Sequence, residues 1–166
     1  MNINILKNVA FFLILLLAQA LVLNHIRLFD CAMPLLYVYF ALPLRRGTPR
    51  WAVLLWCFAM GLGVDTFSNT PGVSAAAMTL IGFLQPYVLE LFVTRESADD
   101  LLPSFRSLGF GKYVVYSLII VLVYILVYFT LEAFNFFNWL QWVESVGGSF
   151  ALTYILILVI ENLRRR

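Results

Sequence analysis

The sequence has 166 residues, of which 63% are hydrophobic and 12% are charged, and its formal net charge is +2. Soluble domains are about half apolar and a quarter charged, so this composition excludes an ordinary soluble domain and indicates a chain surrounded by lipid. The small net charge gives no sign of a nucleic-acid partner, and we expect none. Cys31 and Cys57 form no CxxC motif and His25 stands alone, so we expect no metal site and no cofactor.

Six apolar stretches follow one another along the chain, separated by charged or turn-rich breaks. Each has about 17–22 residues, close to the ~20 that an α-helix needs to cross a hydrocarbon layer. Helices are required because unpaired backbone groups cannot face lipid, and the sequence lacks the period-2 pattern of a membrane barrel. The predicted spans are residues 5–23, 28–44, 51–67, 73–93, 113–134 and 146–163. We therefore expect one all-α integral membrane domain over residues 1–166, a compact bundle of six transmembrane helices.

The basic residues predict the orientation of these spans. If the N-terminus is cytoplasmic, ten of the eleven Lys and Arg residues fall on the cytoplasmic side, and Arg27 alone falls on the other. Cytoplasmic loops of membrane proteins carry such an excess of Lys and Arg. The strongest of these loops lies between the second and third spans and contains Arg45, Arg46 and Arg50. We expect a multi-pass protein with both termini in the cytoplasm.

One acidic residue within a predicted span needs a physical reason. Asp65 lies about 21 Å along a helix that begins at Trp51, since an α-helix rises ~1.5 Å per residue. A charge at that depth is costly unless it is paired or functional. Nearby, Gly61 would let helices approach closely, and Pro71 and Gly72 form a turn signal. One interpretation is a tight helical hairpin in which Asp65 accepts hydrogen bonds from backbone or hydroxyl groups at the turn. The other is a contact with a ligand or partner.

Two further groups of residues lie near the ends of spans. The segment 136–142 is aromatic and nearly uncharged, which is typical of the headgroup zone of a membrane. Trp139 and Trp142 in this segment are therefore candidates for a partner contact. Glu161 precedes Arg164 and Arg165 by three and four residues, which predicts an ordinary ion pair on the surface of a helix.

Enzymatic interpretations find little support in the sequence. Intramembrane aspartyl chemistry needs two carboxylates in one site. Asp30 and Asp65 both fall on the outer side, but the paired Asn/Asp motifs of lipoprotein signal peptidases are missing. The sequence also contains no HExxH motif, no phosphate-binding Gly loop and no Ser with a nearby His. A proton or ion carrier would need acids near the membrane midplane, and the predicted spans place none there. We expect no catalytic residues and no enzymatic activity.

The stretch from Gly61 through Asp65 and Pro71-Gly72 to Gln85-Pro86-Tyr87 resembles the bacterial rod shape-determining protein MreD family. The resemblance extends to the size, the six-span layout and the short Arg-bearing loop. It implies a non-catalytic inner-membrane scaffold of the cell-elongation machinery, which directs peptidoglycan synthesis. It also implies a single-pass, MreC-like partner, with MreB-type filaments and peptidoglycan synthases as indirect partners. The positions that it marks as important are Gly61, Asp65, Pro71 and Gly72.

An alternative follows from the same resemblance. The MreD family is thought to share its fold with the substrate-binding subunits of energy-coupling-factor vitamin transporters, which are also six-helix proteins. Those subunits usually carry an AxxxA pattern in the first helix for docking their transmembrane partner. Here Ala10, Ala18 and Ala20 do not have that spacing. Vitamin sites also need more polar groups on the outer half than this sequence offers, so the scaffold is the favoured hypothesis.

Overall fold

The computed structural model describes residues 3–23, 33–70, 72–93, 101–133 and 139–165, with side chains from residue 8 to residue 164 of these ranges. Every regular element in these ranges is a helix, which confirms the all-α prediction for this part of the chain. The elements are α1 (Ile3–Leu21), a 3-10 helix (Leu36–Ala41), α2 (Arg50–Ser68), α3 (Val73–Phe92), α4 (Phe105–Leu108), α5 (Phe110–Ala133) and α6 (Trp139–Arg165).

Four helices are long and apolar enough to cross a membrane. They are Arg50–Ser68, Val73–Phe92, Phe110–Ala133 and Trp139–Arg164, which correspond to α2, α3, α5 and α6. Helix α1 coincides with the first predicted span, and its apolar part with described side chains, Asn8–Leu21, is shorter. This architecture is compatible with a polytopic helical membrane protein.

The second predicted span, residues 28–44, is not the α-helix that the sequence analysis predicts. Residues 28–32 lie outside the described ranges, residues 33–35 are irregular, and only the six residues Leu36–Ala41 form a 3-10 helix. Pro34 and Pro43 disfavour an α-helix over this stretch, because a proline inside an α-helix removes a hydrogen-bond donor and clashes with the preceding turn. The run is apolar because it is buried, with Tyr37, Val38 and Leu42 fully inaccessible. We call residues 33–44 the buried segment.

The helices pack as neighbours in a simple order. Helices α2 and α3 form an antiparallel hairpin, α5 packs on α3, and α6 packs on α5. Helix α1 runs along α2, with the Phe12 and Trp56 rings 5.7 Å apart. The hairpin defines two ends of the molecule. The turn end contains Asn69, Thr70 and Gly72, and the loop end contains the start of α2 and the end of α3.

The buried segment lies among the helices and forms the centre of the core. Tyr37 hydrogen-bonds through its hydroxyl to the Tyr124 hydroxyl of α5, and the two rings meet edge to face. Toward the loop end, Tyr39 and Phe40 pack against Phe11 of α1. The apolar side chains of this segment therefore contact protein and not lipid, although their composition matches that of a membrane span.

Candidate functional site: the hairpin of α2 and α3

The carboxylate of Asp65 joins the end of α2 to the start of α3. Its Oδ1 accepts a hydrogen bond from the Ser74 backbone N–H at 2.9 Å and another from the Thr70 hydroxyl at 3.1 Å. Its Oδ2 accepts from the Ala75 backbone N–H at 2.9 Å. The side chain is 5% exposed. These are the backbone and hydroxyl donors that the hairpin interpretation of the sequence predicts.

Asp65 caps the N-terminus of α3, whose own N-cap residue provides no side-chain acceptor. The N-cap residue of α3 is Gly72, which has no side chain to accept the free N–H groups of the first turn. Ser74 and Ala75 occupy the second and third helical positions, whose N–H groups an N-cap side chain normally receives. The carboxylate that binds them here comes from the preceding helix. Its negative charge also lies at the positive end of the α3 dipole.

Gly61 is the point of closest approach between the two helices. A Cβ atom on this residue would lie 2.6 Å from the Ser74 carbonyl oxygen and 2.7 Å from the Ala75 nitrogen. Both are backbone atoms, so a small shift of a flexible side chain could not relieve the clash. Gly61 and Asp65 are one helical turn apart and contact the same two residues of α3. The spacing of the motif is therefore explained by one contact surface on α2.

The turn itself uses two residues in the left-handed region. Asn69, which ends α2, has φ 59°, and Gly72 has φ 87°. Asn and Gly adopt this conformation with less strain than other residues, which favours them at these positions. The structure thus gives Gly72 a backbone reason for its identity. Pro71, the remaining candidate of the motif, lies outside the described residues.

The two candidate tryptophans lie in a different part of the molecule. Trp139 begins α6, and its ring stacks on that of Trp142 with centroids 5.6 Å apart. Trp139 is 61% exposed, and the neighbouring Leu140 is 76% exposed. Helix α6 packs mainly against α5, so this stacked pair is separate from the contact of Gly61 and Asp65. The tryptophans form the first turn of α6, which begins seven residues before the predicted span.

A group of polar residues that the sequence analysis missed supports the buried segment. The Met33 N–H donates to the Ser149 hydroxyl and the Leu35 N–H to the Thr153 hydroxyl, each at 3.0 Å. Gln19 accepts from the Leu36 N–H and donates to the Pro34 carbonyl, also at 3.0 Å. Irregular backbone is tolerated at membrane depth only where protein or water satisfies its polar groups.

The other end of the buried segment receives similar support. Gln85 of α3 donates through Nε2 to the Leu44 carbonyl at 3.4 Å and to the Tyr116 hydroxyl at 3.1 Å. Tyr116 in turn donates to the Leu42 carbonyl at 3.3 Å. Gln85 belongs to the Gln-Pro-Tyr end of the motif that carries the family resemblance. In the structure, Gln85 donates a hydrogen bond to the Leu44 carbonyl, which is not part of a regular helix.

The predicted position of Glu161 on the surface of the helix is wrong. This residue is 3% exposed, and it accepts a hydrogen bond from the Tyr39 hydroxyl at 2.5 Å. Its other carboxylate oxygen accepts from the Phe105 N–H at 3.4 Å. Glu161 thus ties α6 to the buried segment and to α4. Arg164 reaches the same Tyr39 hydroxyl at 3.5 Å, and the Arg165 side chain lies outside the described residues.

The sequence did contain a signal for these contacts. Ser149, Thr153 and Glu161 are spaced by multiples of four on one face of α6, and all three are buried. Polar residues repeating at that spacing within an apolar run indicate a face that meets polar groups in the protein. A regular helix over residues 28–44 would bond its own backbone N–H and C=O groups. The prediction of such a helix therefore gave no reason to expect that these side chains bind backbone groups.

The hairpin is built for packing and hydrogen bonding. The Asp65 carboxylate already accepts three hydrogen bonds from α3 and the turn. Among the described side chains, no group of three or more His, Cys, Asp or Glu residues lies close enough to hold a metal ion. Cys57 is buried against Gly82 of α3, where a Cβ would meet its sulfur at 3.0 Å. This second close approach extends the tight packing of the hairpin toward the loop end.

Comparison with known proteins gives no relative for this chain. No protein family profile matches the sequence, and no match is found among curated proteins or among solved structures.

Proposed function

We propose that this chain is a non-catalytic scaffold of the bacterial cell-elongation machinery, situated in the cytoplasmic membrane and bound to a single-pass, MreC-like partner. The observation that carries the proposal is the joint function of Gly61 and Asp65. Two of the residues on which the resemblance to the MreD family rests make and cap one helix contact: Gly61 allows the close approach of α2 and α3, and Asp65 caps α3.

The proposal includes six crossings of the membrane with both termini in the cytoplasm. Helices α2, α3, α5 and α6 supply four of them, and α1 supplies a fifth. The buried segment supplies the second crossing as irregular chain shielded by protein. Its contacts run along α6 from Ser149 to Glu161, which supports a path along most of that helix. The positive-inside rule supports the direction.

The stacked pair Trp139–Trp142 is the proposed contact for the partner at the outer face. Amphipathic aromatic rings favour the interface between membrane and water. Large aromatic side chains are also the commonest energetic anchors of protein interfaces. The exposure of Trp139 and Leu140 leaves this turn of α6 accessible. A single-pass partner could therefore place its juxtamembrane residues here while its transmembrane helix packs along α6.

The experiment combines depletion with co-purification. In a rod-shaped host that encodes this chain, depletion is expected to produce rounded cells. The tagged protein, purified in mild detergent, is expected to recover a single-pass protein with a periplasmic domain. A Trp139→Ala/Leu140→Ala double variant, which removes the two exposed side chains, should lose this partner while keeping its own membrane level. The matched control is Leu118→Ala/Leu122→Ala, which removes exposed apolar side chains from α5.

Two outcomes would contradict the scaffold. Normal cell shape after depletion, with no single-pass protein recovered, would show that the chain has no role in cell elongation. A vitamin detected by mass spectrometry in the purified protein, together with a transporter ATPase among the co-purified proteins, would assign the chain to the energy-coupling-factor class. Loss of the partner in the Leu118/Leu122 control alone would keep the scaffold and move the contact to α5.

A further inference from the structure

A cavity of about 250 Å³ lies at the loop end, where the loop that follows the buried segment meets the start of α2 and the end of α3. Its lining includes the buried side chains of Val53, Gln85 and Leu89. Pockets for whole drug-sized ligands measure about 300–1,000 Å³, so this one suits a smaller chemical group. Apart from Pro49 and Pro86, its remaining lining is polar or charged.

Positive charge dominates this lining. Three arginines, Arg45, Arg46 and Arg50, line the cavity together with one carboxylate, that of Glu90. The formal charge of these four side chains is +2, from three positive charges and one negative. A guanidinium group presents paired N–H donors that match the geometry of a phosphate. The lining thus has the chemistry of an oxyanion site.

The contacts of Arg50 leave its charge available. Its Nη1 donates to the Tyr87 hydroxyl at 3.0 Å, and its guanidinium carbon lies 5.1 Å from the centre of the same ring. Both contacts are with a neutral side chain. They hold the guanidinium in place without neutralising it, which reduces the conformational entropy lost on binding an anion. Arg46 has a further interaction of its own, so Arg45 and Arg50 carry the inference.

An exposed apolar stripe on α3 reaches this cavity. Phe83, Tyr87 and Leu91 are spaced by four residues and are 52%, 42% and 80% exposed. The ring of Tyr87 contacts Phe83 on one side and Arg50 on the other. Apolar surface that ends at a guanidinium-lined cavity matches a molecule with an acyl chain and an anionic head. The fit is with a lipid lying along α3 at the membrane interface.

We propose that this cavity binds the phosphate group of an anionic membrane phospholipid, held by Arg45 and Arg50, with an acyl chain along Phe83, Tyr87 and Leu91. The site does not depend on the scaffold role proposed above, because it uses other residues at the opposite end of the hairpin. A soluble phosphate would use the same arginines but would gain nothing from the apolar stripe.

The test uses the full chain in a neutral detergent, titrated with short-chain phosphatidylglycerol while thermal stability is followed. We expect saturable stabilisation by phosphatidylglycerol at a much lower concentration than by phosphatidylcholine of the same chain length. The Arg45→Gln/Arg50→Gln variant should raise the half-saturating concentration roughly 30-fold, since each basic residue near an anionic lipid surface contributes about fivefold. The matched control, Arg106→Gln/Lys112→Gln, removes the same charge at the loop end and should change it less than about twofold.

A variant that is expected to bind more tightly separates a loss of lipid binding from a loss of the fold. Glu90→Gln removes the one carboxylate of the lining and should lower the half-saturating concentration by about fivefold, an effect that a damaged fold could not produce. Equal weakening by the control pair, or equal affinity for phosphatidylcholine, would overturn the site. Inorganic phosphate that stabilises the protein as effectively as the lipid, with the same dependence on Arg45 and Arg50, would keep the phosphate site and overturn the lipid as its source.

Discussion

Asp65 is a charged side chain placed where a helix needs an acceptor. Its partners are two N–H groups of α3 and one hydroxyl of the turn, and each would otherwise lack a partner away from water. Hydrogen bonds to a charged acceptor contribute about 1.5–3 kcal/mol each, more than those between neutral groups. This explains how a carboxylate can be stable at a depth where an unpaired charge is costly.

Replacing Asp65 should separate the loss of charge from the loss of the acceptor. Asp65→Asn keeps one carbonyl oxygen for the Ser74 N–H and should lower the free energy of unfolding by about 1–3 kcal/mol. Asp65→Leu leaves all three donors unsatisfied and should lower it further. Membrane levels and thermal unfolding in detergent would measure both. Full and equal tolerance of the two changes would show that Asp65 contributes nothing to the hairpin.

Gly61 allows an equally specific test. Gly61→Ala places a methyl group against backbone atoms of α3 and should lower the free energy of unfolding by about 1–3 kcal/mol. The matched control is Gly147→Ala in α6, where a Cβ would meet nothing within 4 Å. That change should be neutral or raise stability by up to ~1 kcal/mol, because alanine favours a helix more than glycine does. Similar effects of the two variants would contradict the close approach at Gly61.

Among the elements, the buried segment depends most on its neighbours. Thr153→Val keeps the shape of the side chain but removes the acceptor of the Leu35 N–H, and should lower the free energy of unfolding by about 1–3 kcal/mol. Thr153→Ser should retain most of the stability. The control is Thr130→Val, since Thr130 is exposed and its hydroxyl donates to the Leu126 carbonyl of its own helix. Thermal unfolding would compare the three variants. An equal loss of stability in Thr153→Val and Thr130→Val would show that the Thr153 hydroxyl does not stabilise the buried segment.

The helices were predictable from the sequence because apolar length and charged breaks mark them directly. Prediction placed the third span at 51–67 and the fourth at 73–93, against Arg50–Ser68 and Val73–Phe92 in the structure. It began α6 seven residues late, because Gln141 and Glu144 interrupt the apolar run while the backbone remains helical. It missed the irregular path of the buried segment, because apolar composition measures burial and not backbone conformation.

The contacts of the hairpin were predictable for a related reason. An acid within an apolar helix must have donors, and a glycine one turn earlier allows a helix to supply them. The roles of Ser149, Thr153 and Glu161 required knowledge of which distant backbone groups were unsatisfied. That information depends on contacts between residues more than 110 positions apart, which local patterns do not contain.

For the molecule as a whole, the proposed orientation can be tested with reporters. A reporter that is active only in the periplasm should work when fused after Asn69 or Asn138. It should fail when fused after Thr48 or Arg166, because the charged loop with Arg45, Arg46 and Arg50 favours the cytoplasm. Activity at Thr48 would reverse the orientation. Activity at both Thr48 and Asn69 would contradict a crossing by α2.

The contacts of the buried segment have a consequence for the timing of biosynthesis. Met33 and Leu35 are made early, yet the hydroxyls that accept their N–H groups belong to Ser149 and Thr153. Until α6 joins the bundle, these two N–H groups lack their acceptors, although Gln19 of α1 can already contact Pro34 and Leu36. A polypeptide that ends at residue 138 would keep the capped hairpin of α2 and α3 but would leave the Met33 and Leu35 N–H groups without their acceptors. The buried segment therefore completes its hydrogen bonding only when α6 joins the bundle.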